Sequence, residues 1–163
     1  MNDEDRPPAL GRPEMFLFAV ALLAVVGALL LPELAQARRA GNETSAIGAL
    51  KTIFQAESVF RETDREKDGN LDYGMLSELT NTGLLDAELG SGTKQGYLFQ
   101  ATYSFSTSEY LWFAAANPEA PGRTGDRYFT ANMAGVIFYT TNGSLGVDTN
   151  TCLLPCNAPL WTR

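Results

Sequence analysis

Seventeen consecutive residues, Met15–Leu31 (MFLFAVALLAVVGALLL), carry no charged or polar side chain. No turn signal interrupts them, so they predict a helix that is apolar on every side. Past Pro32 the pattern changes. Ile47, Leu50 and Phe54 recur at helical spacing, with Ala46, Ile53 and Phe60 beside them, while Arg39, Glu43, Lys51, Gln55 and Arg61 lie mostly elsewhere. This stretch is apolar on one side only, as a helix laid on a sheet would be. Pro13 followed by Glu14 suits a helix start, with proline in the first turn and an acid near the positive end of the dipole. Pro32 lies inside the helical pattern, removes one backbone bond and predicts a kink or local loosening.

Downstream of the helix the period shortens. The chain turns at Thr63–Asp72. Tyr73–Thr80 reads as a short helix with Asp72 as N-cap and Gly83 as its stop. Leu84–Leu89 adds a further turn, ending at Gly90-Ser91-Gly92. Tyr97, Phe99, Ala101, Tyr103 and Phe105 then alternate with Leu98, Gln100, Thr102 and Ser104. That is a strand with one aromatic face. Tyr110–Ala116 predicts a second strand, after a hairpin at Ser106–Glu109. Asn117–Asp126 is a loop. Arg127–Ala131 and Val136–Thr140 predict strands three and four, turning through Asn132–Gly135. Each connection is short enough for an antiparallel meander. The long helix must cover one face of it, and the aromatic stripe Tyr97, Phe99, Tyr103, Phe105, Trp112 and Phe113 reads as core. The expected domains are a disordered polar leader at 1–13 and a long helix at 14–62. That helix divides into 14–37 (transmembrane or filament core) and 38–62 (amphipathic). A globular α+β head at 63–163 completes the chain.

Three fates compete for the apolar run. A transmembrane helix needs about twenty residues to cross about 30 Å of hydrocarbon. The run is at the lower limit, and Ala35 and Ala37 extend it weakly. A secretory signal is the second fate, because Ala35-Gln36-Ala37 has the form of a peptidase site and Arg12 lies upstream. Against it, the run exceeds the usual length of such a segment, and Asp3, Glu4 and Asp5 make its approach acidic. A buried core helix is the third. Arg6 and Arg12 precede the run and Arg38, Arg39 and Lys51 follow it, so charge does not choose an orientation.

Composition narrows the function classes. The formal net charge is −7, which argues against a nucleic-acid partner. There is no histidine. The commonest general base, the Ser-His and Cys-His nucleophile pairs and the commonest neutral metal ligand are therefore missing, and a structural protein is expected rather than an enzyme. Cys152 and Cys156 are too few for a structural zinc site. Outside the cytoplasm they can close a five-residue disulfide ring; free thiols or an intermolecular link are the alternatives.

Asp64-Arg65-Glu66-Lys67-Asp68-Gly69-Asn70-Leu71-Asp72 has the form of an EF-hand loop start. Asp64, Glu66, Asp68, Asn70 and Asp72 alternate as calcium ligands would, and Gly69 permits the sharp turn. Met75 stands where the bidentate glutamate belongs. A polar turn joining two helices is the alternative. Asn42-Glu43-Thr44 and Asn142-Gly143-Ser144 match the N-glycosylation triplet.

One stretch resembles a known family. An apolar helix, a proline, then Ala37-Arg38-Arg39-Ala40-Gly41-Asn42-Glu43-Thr44-Ser45-Ala46-Ile47 and Leu50-Lys51-Thr52-Ile53 is similar to the first helix of bacterial type IV pilins and type II secretion pseudopilins. Asp72-Tyr73-Gly74, Gly83-Leu84-Leu85-Asp86, Lys94-Gln95-Gly96-Tyr97-Leu98-Phe99 and Thr124-Gly125-Asp126-Arg127-Tyr128-Phe129 look like segments of small pilin-like proteins. The family's leader is cut after a glycine followed by a Phe-Thr-Leu-Ile-Glu type segment. Here the nearest glycine, Gly11, is followed by Arg12-Pro13-Glu14-Met15-Phe16. The resemblance implies a pilin-like roll, with the long N-terminal helix packed on a four-stranded antiparallel sheet. It implies a structural subunit of a type IV filament or secretion pseudopilus, assembled with copies of itself or other pilin-like subunits. The location would be the inner membrane with the head outside the cytoplasm, or an extracellular filament. Glu14 would stand near the family's buried glutamate, Phe16, Leu22, Val25 and Leu29 would pack, and Pro32 would kink the helix. A C-terminal disulfide staple would also fit the family. The alternative from another class is a soluble, exported cation-binding module released by cleavage after Ala37.

Overall fold

The computed structural model describes residues 12–65, 67, 69–104 and 107–143. The chain divides into two units, 1–37 and 38–163. Helix α1 (Arg12–Glu62) crosses the boundary.

In the first unit α1 supplies residues 12–37, or about 39 Å of helix at 1.5 Å per residue. Its large apolar side chains face outward: Phe16 is 69% exposed, Leu22 67% and Val25 57%. None of the most apolar window is buried, which removes the core-helix reading. By length and composition the helix can cross a membrane. It begins two residues earlier than expected, within the usual uncertainty of a helix end. It also runs unbroken across Pro32, so the expected loosening does not end the helix.

In the second unit the remainder of α1 lies on an antiparallel sheet. The strands are β1 (Thr93–Lys94), β2 (Tyr97–Tyr103), β3 (Trp112–Pro118), β4 (Tyr128–Asn132) and β5 (Ile137–Thr140). Their order in the sheet is their order in the chain. The pattern of apolar residues explains the register. Tyr97 and Phe99 are buried, while Leu98 and Gln100 between them are exposed. Phe99 pairs with Ala116, Tyr103 with Trp112, and Phe129 with both Ala116 and Tyr139. These residues share the core with Ala46, Leu50, Ile53 and Phe60 of α1. Small residues occupy both sides of this contact (Ala46, Ala49 and Ala56 against Ala114, Ala116 and Ala131), leaving room for the large rings.

Among the described residues the sheet therefore has five strands, not four. The extra strand, β1, is two residues long, too short for a period-2 pattern to show. It is made by a tight turn at Gln95-Gly96, where both residues have positive φ (46° and 74°), the geometry of a type I′ hairpin. Phe99 N–H extends the ladder by donating to Gly92 O at 2.7 Å.

Two short helices precede the sheet. Helix α2 spans Leu76–Asn81 and starts later than expected. Its N-cap is Met75, not Asp72, because the Glu78 carboxylate reaches back to accept Met75 N–H at 2.6 Å. It ends where expected: Gly83 N–H donates to Thr80 O and Leu84 N–H to Leu79 O, both at 2.9 Å, the paired bonds of a Schellman end. Helix α3 (Ala87–Gly90) is capped by Asp86, which accepts Leu89 N–H at 2.8 Å. The Lys94 ammonium, hydrogen-bonded to Asp86 at 2.8 Å, holds that carboxyl below its ordinary range.

The loop between β3 and β4 passes close over the sheet. A Cβ at Gly125 would sit 2.0 Å from the Tyr97 hydroxyl oxygen, so only glycine fits there. Gly125→Ala is expected to lower unfolding stability by about 1–3 kcal/mol, the usual cost of overpacking. Urea denaturation of the full chain in mild detergent measures it; an unchanged midpoint would show that the loop yields freely.

Candidate functional site

The buried edge of α1 in the second unit follows positions 43, 46, 50, 53, 57 and 60, alternating steps of three and four. Four are apolar. The other two are glutamates, and both are buried: Glu43 is 6% exposed and Glu57 0%. Neither was legible as a core position by residue type. Their register with Ala46, Leu50, Ile53 and Phe60 was the available signal.

Glu43 is fully engaged. Its Oε1 accepts the backbone N–H of Asp126 at 2.8 Å and of Arg127 at 3.2 Å. Its Oε2 accepts Arg127 Nε at 2.7 Å and pairs with Arg127 Nη2. Neighbours on the same helix grip the same loop. Asn42 Nδ2 donates to Thr124 O at 2.8 Å, and Arg39 meets Asp126 at 3.1 Å. Asn42 is thus committed to a protein contact, which conflicts with a glycan on that triplet. The Tyr97 hydroxyl donates to Arg127 O at 2.9 Å. Burial, with the Glu43 charge second, pushes its phenol above the ordinary range. The arrangement binds α1 to the β3–β4 loop; it presents no nucleophile or base to a ligand.

Glu57 is different. Its Oε2 accepts Gly74 N–H at 3.0 Å, and among the described residues its Oε1 has no partner. Burial pushes its carboxyl up to about 8.

The predicted assembly residues lie along the first unit. Phe16, Leu22, Val25 and Pro32 are exposed on α1. Glu14 and Leu29 are helical, and their side chains lie outside the described residues. In the predicted calcium loop, Asp64 Oδ2 accepts Gly69 N–H at 3.2 Å, and Asp72 Oδ1 is buried without a partner among the described residues. Glu66 and Asp68 lie outside the described residues, as do Cys152 and Cys156. Among the described residues no group of three or more acidic or thiol side chains is placed to hold a metal ion. An open groove of about 480 Å³ between α2 and β2 is lined by uncharged residues, including Met75, Ser77, Gly92 and Gln100.

The chain matches no protein-family model, no curated protein and no solved structure.

The Glu43 contact predicts a specific loss. Glu43→Ala leaves a guanidinium and two backbone N–H groups without their acceptor. The expected cost is about 2–3 kcal/mol, discounted from a fully buried pair because Arg127 is partly exposed. Denaturation of Glu43→Ala against Arg127→Met and the double variant measures the coupling, and a coupling near zero would show that the pair is incidental.

Proposed function

We propose that this chain is a structural, pilin-like subunit, anchored and assembled through the apolar half of α1. One observation carries the reading. A single helix exposes its large apolar side chains between Met15 and Leu34 and then buries a narrow edge between Ala46 and Phe60 in the core of an α+β unit. Exposed apolar area on that scale calls for lipid or protein around it. The α+β unit with a five-stranded antiparallel sheet is compatible with a pilin-like roll. The segments that carry the family resemblance support it further. Asn42-Glu43 of the first and Thr124–Arg127 of the last meet in space. In this reading Phe16, Leu22, Val25 and Leu29 pack against lipid or neighbouring copies, and the head faces away from the cytoplasm.

A second reading rests on one observation of its own. The second unit begins at Arg38, the residue after Ala35-Gln36-Ala37. Cleavage there would release it as a soluble exported module.

Two measurements separate them. Val25→Glu places a charge at the middle of the apolar segment, at a cost of about 2.5–3.5 kcal/mol. Recovery in membrane or filament fractions is expected to fall by about a hundredfold. Mass analysis of the natural product is expected to show the apolar segment retained. A dissolved product beginning at Arg38 overturns the main reading in favour of the second.

A further inference from the structure

Glu57 sits at an edge position of α1 that its neighbours fill with Ile53 and Phe60. Facing it is the extended stretch 72–75 that leads into α2. Gly74 N–H donates to Glu57 Oε2 at 3.0 Å. The Phe60 ring closes over Gly74, and a Cβ there would meet it at 3.1 Å. The charged group that acts on Glu57 here is an acid. Glu78 of α2 raises the cost of a charge on Glu57 and is itself bonded to Met75 N–H. Asp72, at the start of the stretch, has a buried Oδ1 with no partner among the described residues. The nearby cation, Arg61, is turned elsewhere: it lies over the Tyr73 ring at 5.5 Å and donates to Glu109 O at 2.8 Å. Among the described residues no ion pair reaches Glu57, and no metal-holding group includes it. A carboxylate in that position would be uncompensated. A neutral carboxyl fits, because it accepts the Gly74 bond without bringing a charge out of water.

We propose that Glu57 is a proton-operated latch: its neutral carboxyl holds the 72–75 stretch against α1, and its ionisation loosens that stretch while the sheet stays folded. The device does not depend on what surrounds the apolar half of α1. Its direction follows from linkage. The docked carboxyl titrates near 8 and the released one near 4.5. The docked form therefore holds its proton more tightly. Its stabilisation is fully present below about 4.5, declines as pH rises, and is lost above about 8. Across that window the opening constant rises about tenfold per pH unit.

Amide hydrogen exchange on the full chain in detergent micelles tests this. Rates are corrected for the intrinsic pH dependence of exchange. The Gly74 amide is expected to lose protection about tenfold per pH unit between pH 6 and 8, while the Phe99 amide, bonded to Gly92 O, keeps its protection. Glu57→Gln retains a neutral acceptor and is expected to abolish the slope; Glu78→Gln is expected to keep it. A flat Gly74 profile in the natural chain, an undiminished slope in Glu57→Gln, or parallel loss at Phe99 overturns the proposal. Should Glu57→Gln fail to fold, carboxyl-carbon NMR of the natural chain reads the same group directly. A Glu57 midpoint near 8 supports the latch, and one near 4.5 sinks it.

Discussion

Burial of one narrow edge of α1 against one face of the sheet governs the second unit. Leu50, Ile53 and Phe60 are each almost wholly buried there. At about 1.5–3 kcal/mol for each fully buried large side chain, these three alone contribute about 5–9 kcal/mol as an upper bound. That is comparable with the whole net stability of a typical domain. The rest of the unit serves this contact. The alternation in β2 aims Tyr97 and Phe99 at the helix, and the alanines of β3 and β4 let it approach. The β3–β4 loop folds back to hold the helix at Glu43.

The two glutamates within that edge meet the cost of burial in opposite ways. Glu43 stays in hydrogen bonds to a guanidinium and two backbone donors, so both its oxygens are satisfied. Glu57 has one backbone donor and the acidic Glu78 acting on it. The same side chain, fourteen residues further along the same edge, is therefore pushed toward its neutral form. The difference lies in what the facing segment supplies. The Asp126-Arg127 turn brings a cation and two N–H groups, whereas the Asp72–Met75 stretch brings one N–H and α2 adds the Glu78 carboxylate. Position along a helix sets only that a group is buried; the opposing chain sets which partners it finds there.

Much of the architecture was legible in the residues. Helical spacing pointed to Ile47, Leu50 and Phe54 with Ala46, Ile53 and Phe60 beside them, of which Ile47 and Phe54 are only partly buried, and strict alternation pointed to β2. The later strands fell within a residue or two of their observed bounds because each is flanked by turn chemistry. What escaped had a physical reason. β1 exists because of positive φ at Gln95 and Gly96, and glutamine is a poor herald of that turn. The start of α2 moved because Glu78 caps Met75, a bond that competes with the Asp72 cap by distance in space rather than by residue preference. Charge normally marks the wet face, so Glu43 is expected off the apolar side, and nothing in residue type singles out Glu57. Only the identity of the opposing loop, eighty-odd residues away for Glu43, reveals that burial is tolerable there.

The contrast between the two halves of α1 bears on function. A helix with one apolar edge is satisfied by one surface, and the sheet provides it. A helix apolar in every direction is not satisfied by any single surface, because each wall covers at most one side of a cylinder about 10–12 Å across. It needs an environment that is apolar all round, either hydrocarbon or several neighbouring helices at once. Phe16 and Val25 point to opposite sides of the axis, since nine residues at 3.6 per turn make two and a half turns, whereas Leu22 and Val25, three apart, share one face. An anchor that also serves as a bundling element meets that requirement, whereas a one-to-one docking surface leaves part of the cylinder wet. This is why assembly among copies or within lipid, rather than binding to one soluble partner, is the reading that the apolar half of the helix favours.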